Sequence, residues 1–491
     1  MRSFLRERCA SVNRKNNPIS WLKSAAGVAS AAACLLLPQE ACAEVTIAKG
    51  ETWDAYVAGR VGVFASYAFG DGYPVPQLMG SKLQPGGGVD TNDPTLDTIY
   101  EYDAMGMKLP KQGKLRKLRV RSGYFPNILS LGARKAFGPE LKLTAQVSVS
   151  GAIEPVYAGA SGPPNPNRAN GGRDNGVEAA FNEAFLRAEG SWGELTGGRF
   201  LSVFGRGMTE LDVLYGHGYG VGFPILSRSQ AVPTTGDLRY QGPTGGMSGF
   251  GVLSATYAAG VTYATPSLAG LKVTLGVFDP VAYPSAGWTR TSAPRPEAEI
   301  AYDLKSDVVT LHLFGAGGFQ VLPNPVEDGS TWGVSGGGRF ELGPVRIGGA
   351  GFMGKAPGIV YAFDDNESLS SGTSMRSTPI TNPDGTPGML VERSYELRTT
   401  RGFVGMVQVV LGPIDVGGGA GQTVVLQADV DKMNAATVST LKSQTGIFAA
   451  AVYHANESVH LGVDFITGTY NWYNGESQRL NMLNGGVTVT F

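Results

Sequence analysis

The chain ends on Val487-Thr488-Val489-Thr490-Phe491, a stretch in which apolar and polar side chains alternate. Val487, Val489 and Phe491 fall on one face of an extended strand, and the two threonines fall on the other. This alternation predicts a strand that has different surroundings on its two sides. The stretch alone leaves two interpretations open: the last strand of a soluble sheet, or a strand that separates lipid from water.

The amino terminus indicates export. Six basic residues precede a short apolar run over residues 25–37, and Pro38 and Ala41-Cys42-Ala43 follow it. A basic region, an apolar core and a small-x-small site predict a secretory signal peptide over residues 1–43, cleaved after Ala43. The apolar run is too short to span a bilayer as a helix. The predicted mature domain therefore comprises residues 44–491.

Cysteine content and charge narrow the functional classes. The three cysteines, Cys9, Cys34 and Cys42, all lie in the predicted signal, which suits an exported chain without disulfides and excludes cysteine chemistry. Subtracting the six basic and two acidic signal residues from 40 and 41 leaves 34 and 39, a net charge of −5. That balance argues against a nucleic-acid partner. Only 16% of residues are charged and 71 are glycine, which favours an all-β chain.

Strand-length alternation recurs along the mature chain and predicts about sixteen strands. Leu143, Ala145, Val147 and Val149, for example, alternate with polar residues. Each stretch is about 10 residues long, the length of a tilted strand that crosses a bilayer. Sixteen strands leave an aqueous channel inside a closed barrel, whereas eight to ten leave a filled interior.

Short and long connections alternate between the predicted strands. Turn residues stand at Gly138-Pro139, 191–193, Pro266-Ser267, 305–307, Gly343-Pro344, Gly412-Pro413 and 455–457. Longer polar or glycine-rich segments lie between these hairpins, notably residues 70–114, 154–177, 205–251 and 355–396. Outer-membrane barrels have this asymmetry, with short periplasmic turns and long extracellular loops. The sequence therefore predicts an all-β transmembrane antiparallel barrel.

Three stretches resemble the general Gram-negative trimeric porins. Residues 181–190 (FNEAFLRAEG) leading into 193–199 (GELTGGR) are similar to the hairpin ahead of that family's constriction loop. Residues 261–271 (VTYATPSLAGL) look like the hairpin after that loop, and 141–146 (LKLTAQ) look like an early strand. The resemblance implies a homotrimer in outer-membrane lipid that passes ions and small hydrophilic solutes, with one loop folded into the lumen.

The chain also departs from the porin pattern. The family's acidic-aromatic-glycine turn at the tip of the constriction loop is absent, and residues 209–220 (TELDVLYGHGYG) stand in its place. We therefore interpret the chain as a distant branch, and we do not carry over the ion selectivity of the family.

Candidate constriction residues follow from position and alternation. The predicted constriction loop, residues 205–251, holds Glu210, Asp212 and Asp237. Arg60, Arg134 and Arg187 are expected to point inward from the wall. Opposite charges across a narrow aqueous passage would set up a transverse field that filters ions; solvated charges without that role are the alternative. Arg199 falls on the outward face unless a bulge at Gly197-Gly198 turns it inward, and an outward Arg199 favours a subunit contact.

The sequence predicts no cofactor or metal and no enzymatic activity. The glycines at 216–220 lack the strand-to-helix context of a nucleotide loop, and the four histidines have no metal-ligand spacing. Two functional alternatives to a general diffusion channel stay open. Residues 215–223 favour a substrate-selective channel, and His217 near Asp212 is the one candidate pair for an outer-membrane hydrolase.

Overall fold

The computed structural model describes residues 44–50, 53–71, 100–102, 108–110, 114–121, 127–138, 140–152, 178–211, 225–226, 240–241, 249–255, 257–280, 293–306, 308–322, 329–357, 362–363, 371–381, 387–429, 432, 441–473, 475 and 477–491. The predicted signal peptide, Asp212, Asp237, His217 and residues 215–223 lie outside this set. Within the described part of the chain, no helix has the length and apolar character that crossing a bilayer requires.

The described elements are mostly strands, with one short helix. In chain order they are β1 (Val45–Lys49), β2 (Asp54–Asp71), β3 (Tyr100–Tyr102), β4 (Lys108–Pro110), β5 (Lys114–Arg121), β6 (Asn127–Phe137), β7 (Leu141–Ala152), β8 (Glu178–Gly190), β9 (Gly193–Leu201), α1 (Arg206–Leu211), β10 (Ile225–Leu226), β11 (Tyr240–Gln241), β12 (Ser254–Ala255), β13 (Tyr257–Ala264), β14 (Leu271–Phe278), β15 (Arg295–Lys305), β16 (Val309–Leu322), β17 (Gly329–Leu342), β18 (Val345–Lys355), β19 (Ala362–Phe363), β20 (Ser371–Thr381), β21 (Pro387–Leu397), β22 (Thr399–Leu411), β23 (Ile414–Leu426), β24 (Leu441–His454), β25 (Val459–Trp472) and β26 (Ser477–Thr490).

Sixteen of the described strands close into one antiparallel barrel, as the sequence predicted. The order around the wall is β2, β6, β7, β8, β9, β13 to β18 and β22 to β26, and β26 pairs back onto β2. Seven hairpins of the wall turn at the predicted short connections. In an antiparallel barrel these turns all lie at one end, which we call the short-turn end.

Two joints in the wall were not predicted. Strand β5 pairs with residues 64–71 of β2 and β6 pairs with residues 54–60, so the two strands follow each other along one edge of β2. On the other edge, β1 pairs with the start of β2 just beyond the end of β26. Phe491 extends β26 along this edge of β2: its N–H donates to the Gly59 carbonyl over 3.0 Å, and its carbonyl accepts from the Gly59 N–H over 2.6 Å.

Apolar and polar side chains separate cleanly between the two faces of the wall. Large apolar residues are exposed on the outer face, as with Leu131 at 55% and Phe403 at 61%. Their alternate neighbours point inward and are buried, as with Gln146 at 3% and Thr423 at 0%. An apolar exterior and a polar interior are the reverse of a soluble barrel and suit a wall between lipid and water.

The joint at Gly59 yields a first prediction, on barrel closure. A Cβ at Gly59 would lie 2.6 Å from the Phe491 ring and 2.9 Å from the Ile128 carbonyl oxygen. Gly59→Val should therefore lower the yield of folded barrel several-fold, because overpacking of this kind costs about 1–3 kcal/mol. The fraction of protein that migrates as the compact form on unboiled gels measures that yield. Gly485→Ala is the control, since its Cβ would meet only the Gly462 carbonyl oxygen, at 4.0 Å; equal yields for both variants would contradict the prediction.

Candidate functional site

The chain turns into the lumen directly after β9. Residues 202–205 are buried, and α1 buries Gly207, Met208, Thr209 and Leu211. The Thr209 hydroxyl donates to the Gly205 carbonyl over 2.8 Å, which stabilises the single helical turn. Residues 249–255 are also inside the barrel, at the other end of the predicted constriction loop. We call residues 202–211 and 249–255 together the lumen segment.

A buried carboxylate on β15 holds the first part of the lumen segment. Glu297 Oε2 accepts hydrogen bonds from the backbone N–H groups of Val203 and Phe204, over 2.9 and 2.8 Å. Its other oxygen lies 2.9 Å from Arg295 Nε, and both side chains are fully buried. Arg295 also stacks on the Phe278 ring. Because two backbone donors and one guanidinium compensate the charge of Glu297, the ion pair can exist away from water.

A second ion pair fixes α1 to the same strand. Arg206, the first residue of α1, pairs with Glu299 and donates to Thr274 Oγ1 over 3.4 Å. Burial lowers the pKa of the Arg206 guanidinium, but Glu299 and Glu210 outweigh burial and raise that pKa above its ordinary value. Arg206 therefore stays charged at every accessible pH.

The apolar side chains of the lumen segment pack against glycines of the barrel wall. A Cβ at Gly333 would lie 2.6 Å from the Phe204 ring, and one at Gly348 would lie 3.2 Å from Leu211. Gly207 of α1 lies directly against the Phe314 ring. These contacts bring α1 against the backbones of β16, β17 and β18, closer than a wall with side chains allows.

The second part of the lumen segment is fixed to strands further around the barrel. Gly251 N–H donates to Thr423 Oγ1 over 2.9 Å, and Gln444 donates to the Gly249 carbonyl. The Phe250 ring rests over Gly446, where a Cβ would lie 2.5 Å away. The two parts also meet, since Ala255 N–H donates to Thr209 Oγ1 over 3.2 Å. Phe250 also contacts the Tyr470 ring, so the lumen segment is bound to β14–β18 at one end and to β22–β25 at the other.

A hydrogen-bonded network lines the wall on β2, β6, β7 and β8. Tyr56 donates to Gln146 Oε1 over 3.0 Å, and Gln146 donates to Glu183 Oε2 over 2.8 Å. Ser148 donates to the same carboxylate oxygen over 2.7 Å and contacts Ser130 at 2.8 Å. The network places one carboxylate, Glu183, among neutral polar side chains.

Near the short-turn end, ion pairs and hydrogen bonds link successive strands. Glu341 lies between Arg339, at 2.8 Å, and Arg346, at 3.7 Å. A chain of polar contacts continues from Arg346 to Gln408, Asp415, His454 and His460, with separations of 2.8 to 3.2 Å. His312 pairs with Asp303 over 2.7 Å. The three described histidines, His312, His454 and His460, are therefore partnered polar residues.

The predicted constriction residues that the structure describes lie at separate places in the lumen and do not form one cluster. Glu210 lies on α1, where its carbonyl accepts a hydrogen bond from Arg339 over 3.3 Å. Arg60 is buried on the inward face of β2. Arg134 pairs with Glu44 over 2.5 Å, and Arg187 contacts Glu194 at 3.3 Å and Thr196 at 3.2 Å.

Arg199 lies on the outer face of β9. It is exposed, it stands opposite Ala184 and Ala259, and its neighbours Thr196 and Phe200 point inward. Gly198 has a φ of +130°, but the register across β9 is unbroken. The glycine pair therefore does not turn Arg199 into the lumen.

Sequence reasoning missed Arg206, Glu297 and Glu183. Glu183 carried a usable signal, because it precedes Arg187 by four residues on the same inward face of β8. Glu297 and Glu299 alternate with apolar residues in the same way on β15. Their partners on the lumen segment are about 90 residues away in sequence, so alternation alone does not identify the contact.

The closed sixteen-stranded wall, apolar outside and polar inside, with a chain segment fixed in its lumen, has the porin fold. The outer-membrane channel DcaP of Acinetobacter baumannii has a similar structure, with a TM-score of 0.57 and 13% sequence identity. The match covers 91% of this chain and 100% of the DcaP chain. An anion-selective porin of Comamonas acidovorans matches 89% of this chain and all of its own, with a TM-score of 0.49 and 13% identity. Neither a protein-family model nor a curated protein sequence matches the chain.

Proposed function

We propose that the protein is an outer-membrane porin that forms a homotrimer and serves as a channel for passive diffusion of ions and small hydrophilic solutes. The observation that carries the proposal is the separation of the two faces of a closed sixteen-stranded wall. Exposed apolar side chains cover its outside, while ion pairs and hydrogen-bonded polar groups line its inside. A wall of this kind separates lipid from a water-filled interior.

Conductance is the direct test of this proposal. The purified mature chain in a planar bilayer is expected to give stepwise current increments. Their absence from protein that migrates as a folded barrel on unboiled gels would refute the channel.

The lumen segment is proposed to set the narrowest part of the passage. Its contacts lie on β14–β18 and β22–β25, so we place the solute path between it and the wall of β2, β6, β7 and β8. Glu210, with Asp212 and Asp237, would supply the acidic side of the constriction, and Arg60, Arg134 and Arg187 the basic side. Glu183 adds a carboxylate to the wall network. The field between these groups would act on ions in transit.

Neutralising acidic groups of the passage should change its ion preference. The Glu210→Gln and Glu183→Gln variants are each expected to shift the reversal potential towards anion preference. In a tenfold gradient of a monovalent salt, an ideally selective channel has a reversal potential of roughly 59 mV. The expected shift is a fraction of that value. Asp303→Asn is the control, since that carboxylate is half exposed near the short-turn end and pairs with His312. Reversal potentials equal to the wild-type value in both test variants would refute the role of these carboxylates.

A further inference from the structure

Two histidines meet across the hairpin that joins β24 to β25, at the short-turn end of the barrel. His454 stands directly opposite His460 in the pairing of these strands, and their Nδ1 atoms lie 2.8 Å apart. Val452, two residues before His454, is fully buried, and His460 is 5% exposed, so both imidazoles point inward. Their rings are nearly perpendicular, with 78° between the planes. The hairpin thus brings together two nitrogen ligands whose spacing in sequence matches no metal motif.

Hydrogen bonds within the hairpin fix the backbone that carries these histidines. The Asn456 side-chain oxygen accepts from the N–H groups of Ser458 and Val459, over 2.8 and 2.9 Å. The His454 N–H donates to the Pro413 carbonyl over 2.8 Å. A ligand of the two imidazoles would therefore meet a backbone that is already ordered, which lowers the entropic cost of binding.

A buried carboxylate contacts the far side of one imidazole. Asp415 Oδ2 lies 3.2 Å from His454 Nε2, and the Asp415 side chain is 1% exposed. Gln408 donates to the same oxygen over 2.9 Å, which holds the carboxylate in place. A carboxylate at this position favours the tautomer that carries its proton on Nε2, and this tautomer leaves a lone pair on Nδ1. The same arrangement orients metal-binding histidines in many proteins.

The separation of the two Nδ1 atoms indicates which metal fits. Two ligands about 90° apart on bonds of about 2.0 Å lie about 2.8 Å from each other, whereas tetrahedral ligands on the same bonds lie about 3.3 Å apart. The observed 2.8 Å matches neighbouring positions of a square-planar or tetragonal ion. Cu²⁺ prefers that geometry, and nitrogen sites bind it more tightly than the other divalent first-row metals.

Two charged groups face the histidine pair from neighbouring strands. Asp415 contacts His454 directly. Arg60 on β2 and His460 on β25 are separated by β26, where they stand opposite Thr490 and Thr488. Two strand spacings, about 10 Å, therefore lie between the backbones of Arg60 and His460. The nearer charge is the carboxylate, and it favours a cation at the pair.

We propose that His454 and His460 form a binding site for Cu²⁺ at the short-turn mouth of the barrel. Each imidazole supplies its Nδ1 atom, and Asp415 positions His454 through the other ring nitrogen. The proton between the two Nδ1 atoms moves to Nε2 of His460, so both imidazoles stay neutral as ligands. In the described part of the chain, no three His, Cys, Asp or Glu side chains gather around one point. Water therefore fills the remaining positions, and the His454 side chain is 19% exposed to it.

Titration of the folded, detergent-solubilised mature chain with Cu²⁺ tests this site. Calorimetry measures the affinity, and pulsed EPR counts the imidazole nitrogens on the bound ion. The wild type should bind one equivalent with two imidazole ligands in a tetragonal spectrum. Asp415→Asn should weaken binding about tenfold or more and keep both nitrogens, because it removes only the positioning carboxylate. His460→Gln should weaken binding further and leave one nitrogen.

The two other histidines of the chain provide matched controls. His312 also points inward near the short-turn end, but its partner is Asp303, at 2.7 Å, and not a second imidazole. His217 lies in the sequence between the two parts of the lumen segment. His312→Gln and His217→Gln should each bind Cu²⁺ with the affinity and the spectrum of the wild type.

Three results would overturn the site. They are equal affinity of His460→Gln and the wild type, a single imidazole nitrogen on the ion in the wild type, and loss of binding in either control variant. If His460→Gln does not fold, His454→Gln provides the same comparison. Cu²⁺ binding is measured without an ion current, so a failure of conductance would refute the proposed channel and leave the result on the metal site unaffected.

Discussion

Replacing Glu297 by alanine is expected to lower the free energy of unfolding by about 3–5 kcal/mol, because it leaves the fully buried Arg295 guanidinium without its carboxylate. The same change removes the acceptor of the Val203 and Phe204 N–H groups. The first part of the lumen segment then loses its fixed position. Urea titration of the protein in lipid vesicles measures the stability, and single-channel recording should show increased current noise.

Asp303→Asn is the matched control for Glu297→Ala. Asp303 lies on the same strand and its side chain is 46% exposed, so loss of its pair with His312 should cost no more than about 1 kcal/mol. Equal unfolding midpoints for the two variants would show that burial of the Arg295–Glu297 pair does not govern stability. Unchanged noise in Glu297→Ala would show that the lumen segment is held by its other contacts.

The Gly251→Val variant should displace the second part of the lumen segment. Gly251 has a φ of +86°, and a Cβ there would overlap the Phe403 carbonyl group of β22. A β-branched residue in this conformation costs about 1–3 kcal/mol before the overlap is counted. The shift should also break the hydrogen bond to Thr423. We expect a larger and more variable unit conductance, measured in planar bilayers.

Gly405→Val provides the comparison for Gly251→Val. Gly405 lies on β22 as well, but a Cβ there would meet nothing within 4 Å. Its conductance and stability should stay close to those of the wild type. If Gly251→Val also conducts like the wild type, the contact of this residue with the wall does not control the width of the passage.

Alternation and turn chemistry were sufficient to predict the barrel. The period-two pattern assigns each side chain of a strand such as β7 to one face, and a Gly-Pro pair such as Gly343-Pro344 marks where a hairpin reverses. The pairing of β1 with β2, next to the end of β26, was not predictable in this way. Five residues carry too little pattern to show that Val45–Lys49 continues the wall beyond Phe491.

The attachment of the lumen segment to the wall was not predictable from the sequence. The resemblance of the flanking hairpins placed the loop between β9 and β13, and the structure puts both of its described ends inside the barrel. The partners of Phe204 and Phe250 are Gly333 and Gly446, residues that have no side chain to signal a contact. Charge alternation identified Arg187 as inward, yet its partner Glu194 became evident only from the register of β8 with β9.

The Phe204 and Phe250 rings pack directly against glycine backbone, and this packing restricts which substitutions the sequence can accept. A substitution of Gly333 by a larger residue is tolerated only after Phe204 has been replaced by a smaller residue. Phenylalanine is then tolerated again at position 204 only if position 333 is glycine. The two positions should be epistatic: each substitution alone is harmful, and one order of change is tolerated better than the other. Phe250 and Gly446 form a second such pair. The width of the passage would thus be inherited through coupled positions far apart in the chain, and not through the loop alone.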